Sequence, residues 1–138
     1  MDEAASEQFL EKSINRIKEG SKQMGFSESE VMLEGNDLFI LMPSSKYNRK
    51  YMLKVSIYEG YPINAADYLF VDTETKQEKG IEHWPNDGGQ AFKLENPPWI
   101  CMAGTRAWIL HGHPNQGPQT NLIENVVFSI WVKLNKAT

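Results

Sequence analysis

The hydrophobic period of this chain changes twice, from helical to strand-like and back. Residues 3 to 19 put Leu10, Ile14 and Ile17 on one stripe at i, i+4 and i+7, leaving Glu7, Glu11, Lys12, Arg16 and Lys18 for the wet faces. Gly20 reads as the stop of this helix. Beyond it the period becomes two. Val31 and Leu33 alternate with polar neighbours, and Glu34-Gly35-Asn36-Asp37 is a hairpin turn signal. Leu38 to Met42 is apolar on both faces, as in a covered strand, and Pro43-Ser44-Ser45 is expected to break it. Tyr51, Leu53, Val55 and Ile57 alternate with Lys54 and Ser56, Gly60-Tyr61-Pro62 turns the chain, and Tyr68 to Val71 forms a further short strand. These elements predict an antiparallel meander with one face packed on a helix.

Residues 73 to 98 lose periodicity. Gly80, Pro85, Gly88, Gly89, Pro97 and Pro98 punctuate them, and irregular segments of this length in small domains usually carry function or move. Trp108 to Leu110 reads as one more short strand. The helical period returns over residues 121 to 135. Asn121 and Glu124 have capping-box spacing after Pro118, and Ile123, Val127, Ile130, Trp131 and Leu134 share a face. The order of elements is helix, strand meander, long irregular segment, helix, which is α+β. At 138 residues the chain is read as one domain, 1–138, large enough to bury a core without staples.

Charge narrows the function classes. Fourteen Lys+Arg against eighteen Asp+Glu give a formal net charge of -4, and the basic residues are scattered, so nucleic acid is not an expected partner. No apolar run approaches the ~18 residues of a membrane span, so no membrane is expected either. The acidic start, Met-Asp-Glu-Ala-Ala-Ser-Glu, lacks the basic and apolar regions of a signal peptide, which makes the cytoplasm the expected compartment.

The residues best suited to chemistry cluster between His83 and His113. They include the single cysteine, Cys101, all three histidines (His83, His111 and His113) and three of the four tryptophans, Trp84, Trp99 and Trp108. Irregular backbone after Pro97-Pro98 can present Cys101 at a surface, where Arg106 or a histidine would favour the thiolate. Equally, Trp99-Ile100-Cys101-Met102 can be an apolar plug under the loop. His111 and His113 are candidates for a general base or an orienting group, or for residues of a polar turn with Gly112 and Pro114. With Cys101, and His83 as a fourth ligand, they could instead hold zinc, although the spacing matches no common zinc template. Asn86 and Asn96 are candidate oxyanion donors, or simply turn residues beside proline.

Two strings, set in this order of elements, resemble the ubiquitin-conjugating enzymes, and more closely their divergent bacterial branch. The first is Tyr61-Pro62-Ile63-Asn64-Ala65-Ala66-Asp67-Tyr68-Leu69-Phe70. Here Ala65-Ala66 stand where the family carries Pro-Pro, and Phe70 is in register. The second is Ile100-Cys101-Met102, similar to the family's Ile-Cys-Leu around its active-site cysteine. Gly104-Thr105-Arg106, Trp108, the loop with His111 and His113, and the final helix continue the similarity, which covers roughly residues 3 to 135. The chain departs from the family in lacking its usual second and third C-terminal helices, and in one local string. The family's His-Pro-Asn places its asparagine eight positions before the cysteine, where this chain has Lys93, while His83-Trp84-Pro85-Asn86 carries similar residues further upstream.

The resemblance implies a UBC-like fold and a transferase mechanism. Cys101 would take a ubiquitin-like protein as a thioester from an activating enzyme and pass it to an amine of a protein target. His111 or His113 would orient that amine or stabilise the oxyanion. No cofactor and no metal are implied. The exposed face of the first helix, with Lys12, Arg16 and Lys18, would meet the activating enzyme, and bacterial members often serve antiphage conjugation systems. The alternative is a catalytically inert UBC-like module that binds the modifier or the activating enzyme.

Overall fold

A computed structural model describes residues 3–78 and 83–135. Helix α1 spans Glu3–Met24. A four-stranded antiparallel sheet follows, in the order β1 (Val31–Glu34), β2 (Asp37–Ser44), β3 (Arg49–Ser56) and β4 (Asp67–Val71). A two-stranded ladder comes next, β5 (Phe92–Lys93) with β6 (Trp99–Ile100). Three helices complete the order, α2 (Arg106–Leu110), α3 (Pro118–Asn121) and α4 (Ile123–Asn135). The architecture is α+β, as the sequence periods indicate. No helix of the described residues is long and apolar enough to cross a membrane.

The alternation read from sequence sets the faces of the sheet. Leu38, Ile40 and Met42 of β2, Leu53 and Val55 of β3, and Tyr68 and Phe70 of β4 point inward. They meet Ile17 and Met24 of α1 and Ile123, Val126, Val127, Ile130 and Leu134 of α4. The other face carries a smaller cluster, Phe39, Met52 and Val71, with Met32 and Leu41 against it. The strand read as covered on both sides is therefore covered on both sides. The turn after β4 lies at this outer face, with the Lys76 ammonium 5.0 Å above the Phe39 ring and 2.7 Å from Glu34.

Several boundaries differ from the sequence expectation. Gly20 does not stop α1, because Ser21 and Met24 extend its buried stripe by another turn. The stop is Gly25, at φ 84°. There Phe26 N–H donates to Ser21 O and Gly25 N–H to Lys22 O, the paired closure that a left-handed glycine permits. Pro43 does not break β2, which runs on to Ser44 opposite Arg49, and the Pro43 carbonyl accepts from the Asn135 amide. The segment 73 to 98 is not wholly irregular, since it holds β5. Gly80 lies outside the described residues.

Trp108 to Leu110 is helix, not strand. Thr105 caps it, its hydroxyl accepting from Trp108 N–H at 3.2 Å. The final helix is split at Leu122, and Asn121 does not cap it. Its side-chain amide turns inward instead, to the carbonyls of Pro62 and Ile63. Tyr61 ties these parts together from the turn before β4. Its buried hydroxyl lies 2.6 Å from Ser13 Oγ of α1 and accepts from Ile123 N–H of α4, and burial pushes the phenol up to about 12.

Candidate functional site

Cys101 follows β6 directly. Its N–H donates to Ala91 O at 2.8 Å, extending the β5–β6 pairing by one bond. The residue is buried, with 6 % of its surface exposed, so the chain does not present it openly at a surface, and its burial agrees with the apolar-plug reading. Burial pushes the thiol up from its ordinary value, and the nearby Lys93 ammonium partly opposes that push.

The chain after the cysteine is fixed by one hydroxyl. Thr105, fully buried, donates to Met102 O at 2.8 Å and accepts from Met102 N–H and Trp108 N–H. The next residue donates its N–H to Ala66 O at 2.8 Å, locking the segment to the start of β4. Gly104, at φ 92°, passes so close to α3 and α4 that a Cβ there would run into the Thr120 carbonyl and the Val126 side chain. The Gly-Thr-Arg string is thus a packing device that holds the turn after Cys101.

The two candidate histidines are exposed and go separate ways. His111 stacks on Trp99 of β6, with ring centroids 4.1 Å apart, and its Nδ1 lies 2.8 Å from Ala107 O. A carbonyl only accepts, so Nδ1 carries the proton, and in the neutral ring Nε2 is the bare nitrogen. His113 stacks on Trp108 of α2 at 3.8 Å. Among the described residues no hydrogen bond joins either imidazole to the Cys101 thiol. His111 rests on the strand that ends at the cysteine, whereas His113 rests on the helix beyond it. The zinc arrangement considered from spacing is not assembled, since no three His, Cys, Asp or Glu side chains converge among the described residues.

Asn86 has the turn role. Its Oδ1 accepts from Gly88 N–H, and its carbonyl accepts from the Tyr47 hydroxyl. Asn96 is exposed, between β5 and β6. Arg106 does not face the thiol. Its guanidinium sits over the Tyr58 ring and 3.5 Å from Asp67. The charge that reaches Cys101 is Lys93, whose Nζ also donates to Gly89 O at 2.7 Å and lies 5.9 Å from the Trp99 ring centre. Sequence reasoning noted Lys93 only as a mismatch. The signal that would have found it is the two-residue ladder, which pairs Lys93 with Trp99 and Phe92 with Ile100.

A groove of about 300 Å³ runs beside this region, walled by Tyr58, Trp84, Pro97, Pro98 and Trp99. The site therefore brings together one buried thiol, one ammonium near it, one imidazole stacked on Trp99 of the adjoining strand, and an aromatic groove. Comparison of the chain with protein-family models, with curated proteins and with solved structures finds no match.

Proposed function

We propose that this chain is a UBC-like carrier, a ubiquitin-conjugating-enzyme-like transferase that holds a ubiquitin-like protein as a thioester on Cys101. The observation that carries the reading is the placement of Cys101. It ends a short ladder that follows a helix and a four-stranded meander, with Lys93 as the charge beside it and a final helix behind. The order of elements and the Tyr-Pro and Ile-Cys-Met strings support the same reading.

The steps follow from thioester chemistry. The Cys101 thiolate attacks the carbonyl of the thioester joining the modifier to the activating enzyme's cysteine. The tetrahedral intermediate collapses, the modifier's carbonyl carbon is now bonded to Cys101 Sγ, and the activating enzyme's thiolate leaves and is protonated by water. In the second step an amine of the protein target attacks, Cys101 leaves as thiolate, and an amide remains. Lys93 supplies positive charge for the oxyanion at the position eight before the cysteine. His111 Nε2 accepts the proton of the incoming amine. His113 contributes through its stack on Trp108.

A second reading has one specific observation in its favour. Cys101 is buried, and burial pushes its thiol up against the lowering charge of Lys93, which disfavours the thiolate and suits an inert module that docks a modifier or an activating enzyme without forming a bond. A single assay separates the two. The protein is mixed with a ubiquitin-like protein carrying its C-terminus as a small-mercaptan thioester, and the products are run without reductant. A carrier gives a conjugate that thiol reductant cleaves and that Cys101→Ala cannot form. With Cys101→Ala as the blank, absence of any such conjugate on the wild-type chain overturns the carrier and leaves the docking module.

A further inference from the structure

The loop that leads into β5 is built around one carboxylate. Asp87 Oδ2 accepts from Ala91 N–H at 2.8 Å and Oδ1 from Gln90 N–H at 3.1 Å. Phe92 N–H is shared between the two oxygens at 3.2 and 3.3 Å. Lys133 of α4 reaches Oδ2 at 3.5 Å, and the Asp87 side chain is only 6 % exposed. A carboxylate removed from water must have its lone pairs filled. Here three consecutive backbone amides and an ammonium fill them, so the carboxylate dictates where residues 90–92 lie.

Two of those residues lead to the cysteine. Ala91 gives its N–H to Asp87 and takes the Cys101 N–H on its carbonyl, so a single residue separates the carboxylate from the nucleophile's backbone. Phe92, fully buried and packed on Phe70, pairs with Ile100, the residue before Cys101. Lys93 comes next, and its ammonium is anchored on Gly89 inside the same loop. Nothing in the sequence near Cys101 supplies this control, because it arrives from fourteen residues upstream and from the last helix.

We infer that Asp87, held by Lys133, is a positioning residue for Cys101. It fixes the backbone that carries the Cys101 N–H and the loop that anchors Lys93. The inference rests on the reading of Cys101 as the thioester carrier, and its test does not require a modifier. With one cysteine in the chain, alkylation of the folded protein reports on Cys101 alone.

The measurement is the rate of Cys101 alkylation by iodoacetamide as a function of pH, for wild type, Asp87→Ala, Lys133→Met and Asp72→Ala. Asp72 is the control because it too receives two backbone amides, Glu74 and Thr75, in a turn remote in sequence from the cysteine. Asp87→Ala is expected to raise the rate near neutral pH about tenfold and to lower the pH midpoint, since burial is the dominant influence on this thiol and the released loop uncovers it. Lys133→Met leaves the amide bonds in place and is expected to give a smaller rise, about threefold, which keeps the test open if Asp87→Ala does not fold. Asp72→Ala is expected to stay within about twofold of wild type.

Wild-type rates and midpoints in both Asp87→Ala and Lys133→Met overturn the inference. So does an equal rise in Asp72→Ala, which would mark general loosening. A wild type that takes no modifier while Asp87→Ala shows the expected rise sinks the carrier and spares the positioning. A wild type that takes the modifier while Asp87→Ala and Lys133→Met both alkylate unchanged does the reverse.

Discussion

The sheet and the segment from 83 to 122 solve the same problem with different parts. Both must satisfy buried backbone donors and acceptors. In the sheet the ladder does it, with unbroken register from Asp37–Ser56 to Ser44–Arg49 between β2 and β3. Its charged side chains pair on the outside, as Lys54 does with Glu78 at 3.6 Å. In the segment the ladder is two residue pairs long. Beyond it, backbone bonds such as Arg106 N–H to Ala66 O are joined by many that come from side chains. Asp87 takes amides 90 to 92, Thr105 takes Met102 and Trp108, Asn115 takes Gly117 N–H, and Asn121 gives to Pro62 and Ile63. The difference teaches that a charged residue on the outer face of the sheet is largely decoration, whereas the buried polar side chains of the segment, like Ser44 at the end of β2, are framework.

The comparison is broken most severely from the sheet side by removing apolar volume. Leu53 is fully buried at the centre of β3, between its register partners Ile40 of β2 and Phe70 of β4. Leu53→Ala is expected to cost about 2–5 kcal/mol in urea unfolding, the combined loss of transfer energy and the cavity left behind. A loss under about 1 kcal/mol would mean the sheet's inner face is not the core.

The second test sharpens the contrast. Asn121 is 1 % exposed, and its amide reaches Pro62 O at 3.0 Å, Ile63 O at 3.3 Å and Asn115 Oδ1 at 3.0 Å. Asn121→Leu keeps the size and leaves the buried Pro62 carbonyl without its donor, so it is expected to cost about 1–3 kcal/mol. Lys54→Ala on the sheet removes a charged pair of the opposite kind, exposed on one side, and is expected to cost under about 1 kcal/mol. Equal losses from the two substitutions, read from the same denaturant midpoints, would abolish the distinction.

The same division explains what could be read without coordinates. The sheet was legible because alternation assigns faces, and Leu38 to Met42, Tyr51, Leu53 and Val55 needed no tertiary knowledge. The helical stripes were legible for the same reason, though their ends were not. Whether Gly20 ends a helix depends on whether Ser21 and Met24 find a core to enter, and they do. Trp108 to Leu110 is too short a run for any period to show, and Thr105 three residues before Trp108 was the overlooked helix signal. The site divides likewise. Cys101 was legible as the nucleophile candidate, and its burial only as one of two alternatives, because the pairing of its backbone with Ala91 spans ten residues that carry no period. His111 and His113 look like a pair in sequence, but Trp99 and Trp108 draw them to different elements. Asp87 carries no signal in the sequence, since only the fold brings three amides and Lys133 to it.

The smallest expected effect concerns a turn aspartate that really is only that. Asp72 Oδ1 accepts from Thr75 N–H at 2.8 Å and Glu74 N–H at 2.9 Å, and these bonds, Thr75's first, hold its carboxyl below the ordinary range. A carboxyl lowered in the folded state binds its proton less readily there than in the unfolded chain. Its contribution to stability is therefore complete above the unfolded value, about 3.9, and is lost as pH falls through the folded one. Asp72→Asn keeps an acceptor and removes the charge. The melting temperature of wild type should exceed that of Asp72→Asn slightly at pH 6, and the gap should close as pH is lowered past the unfolded carboxyl value. Thermal unfolding of both proteins between pH 6 and pH 2.5 measures it. A gap that persists to the acid end would mean the charge is not what the two amides recognise. A gap as wide as that from Asn121→Leu would make this turn aspartate a framework residue, against the comparison.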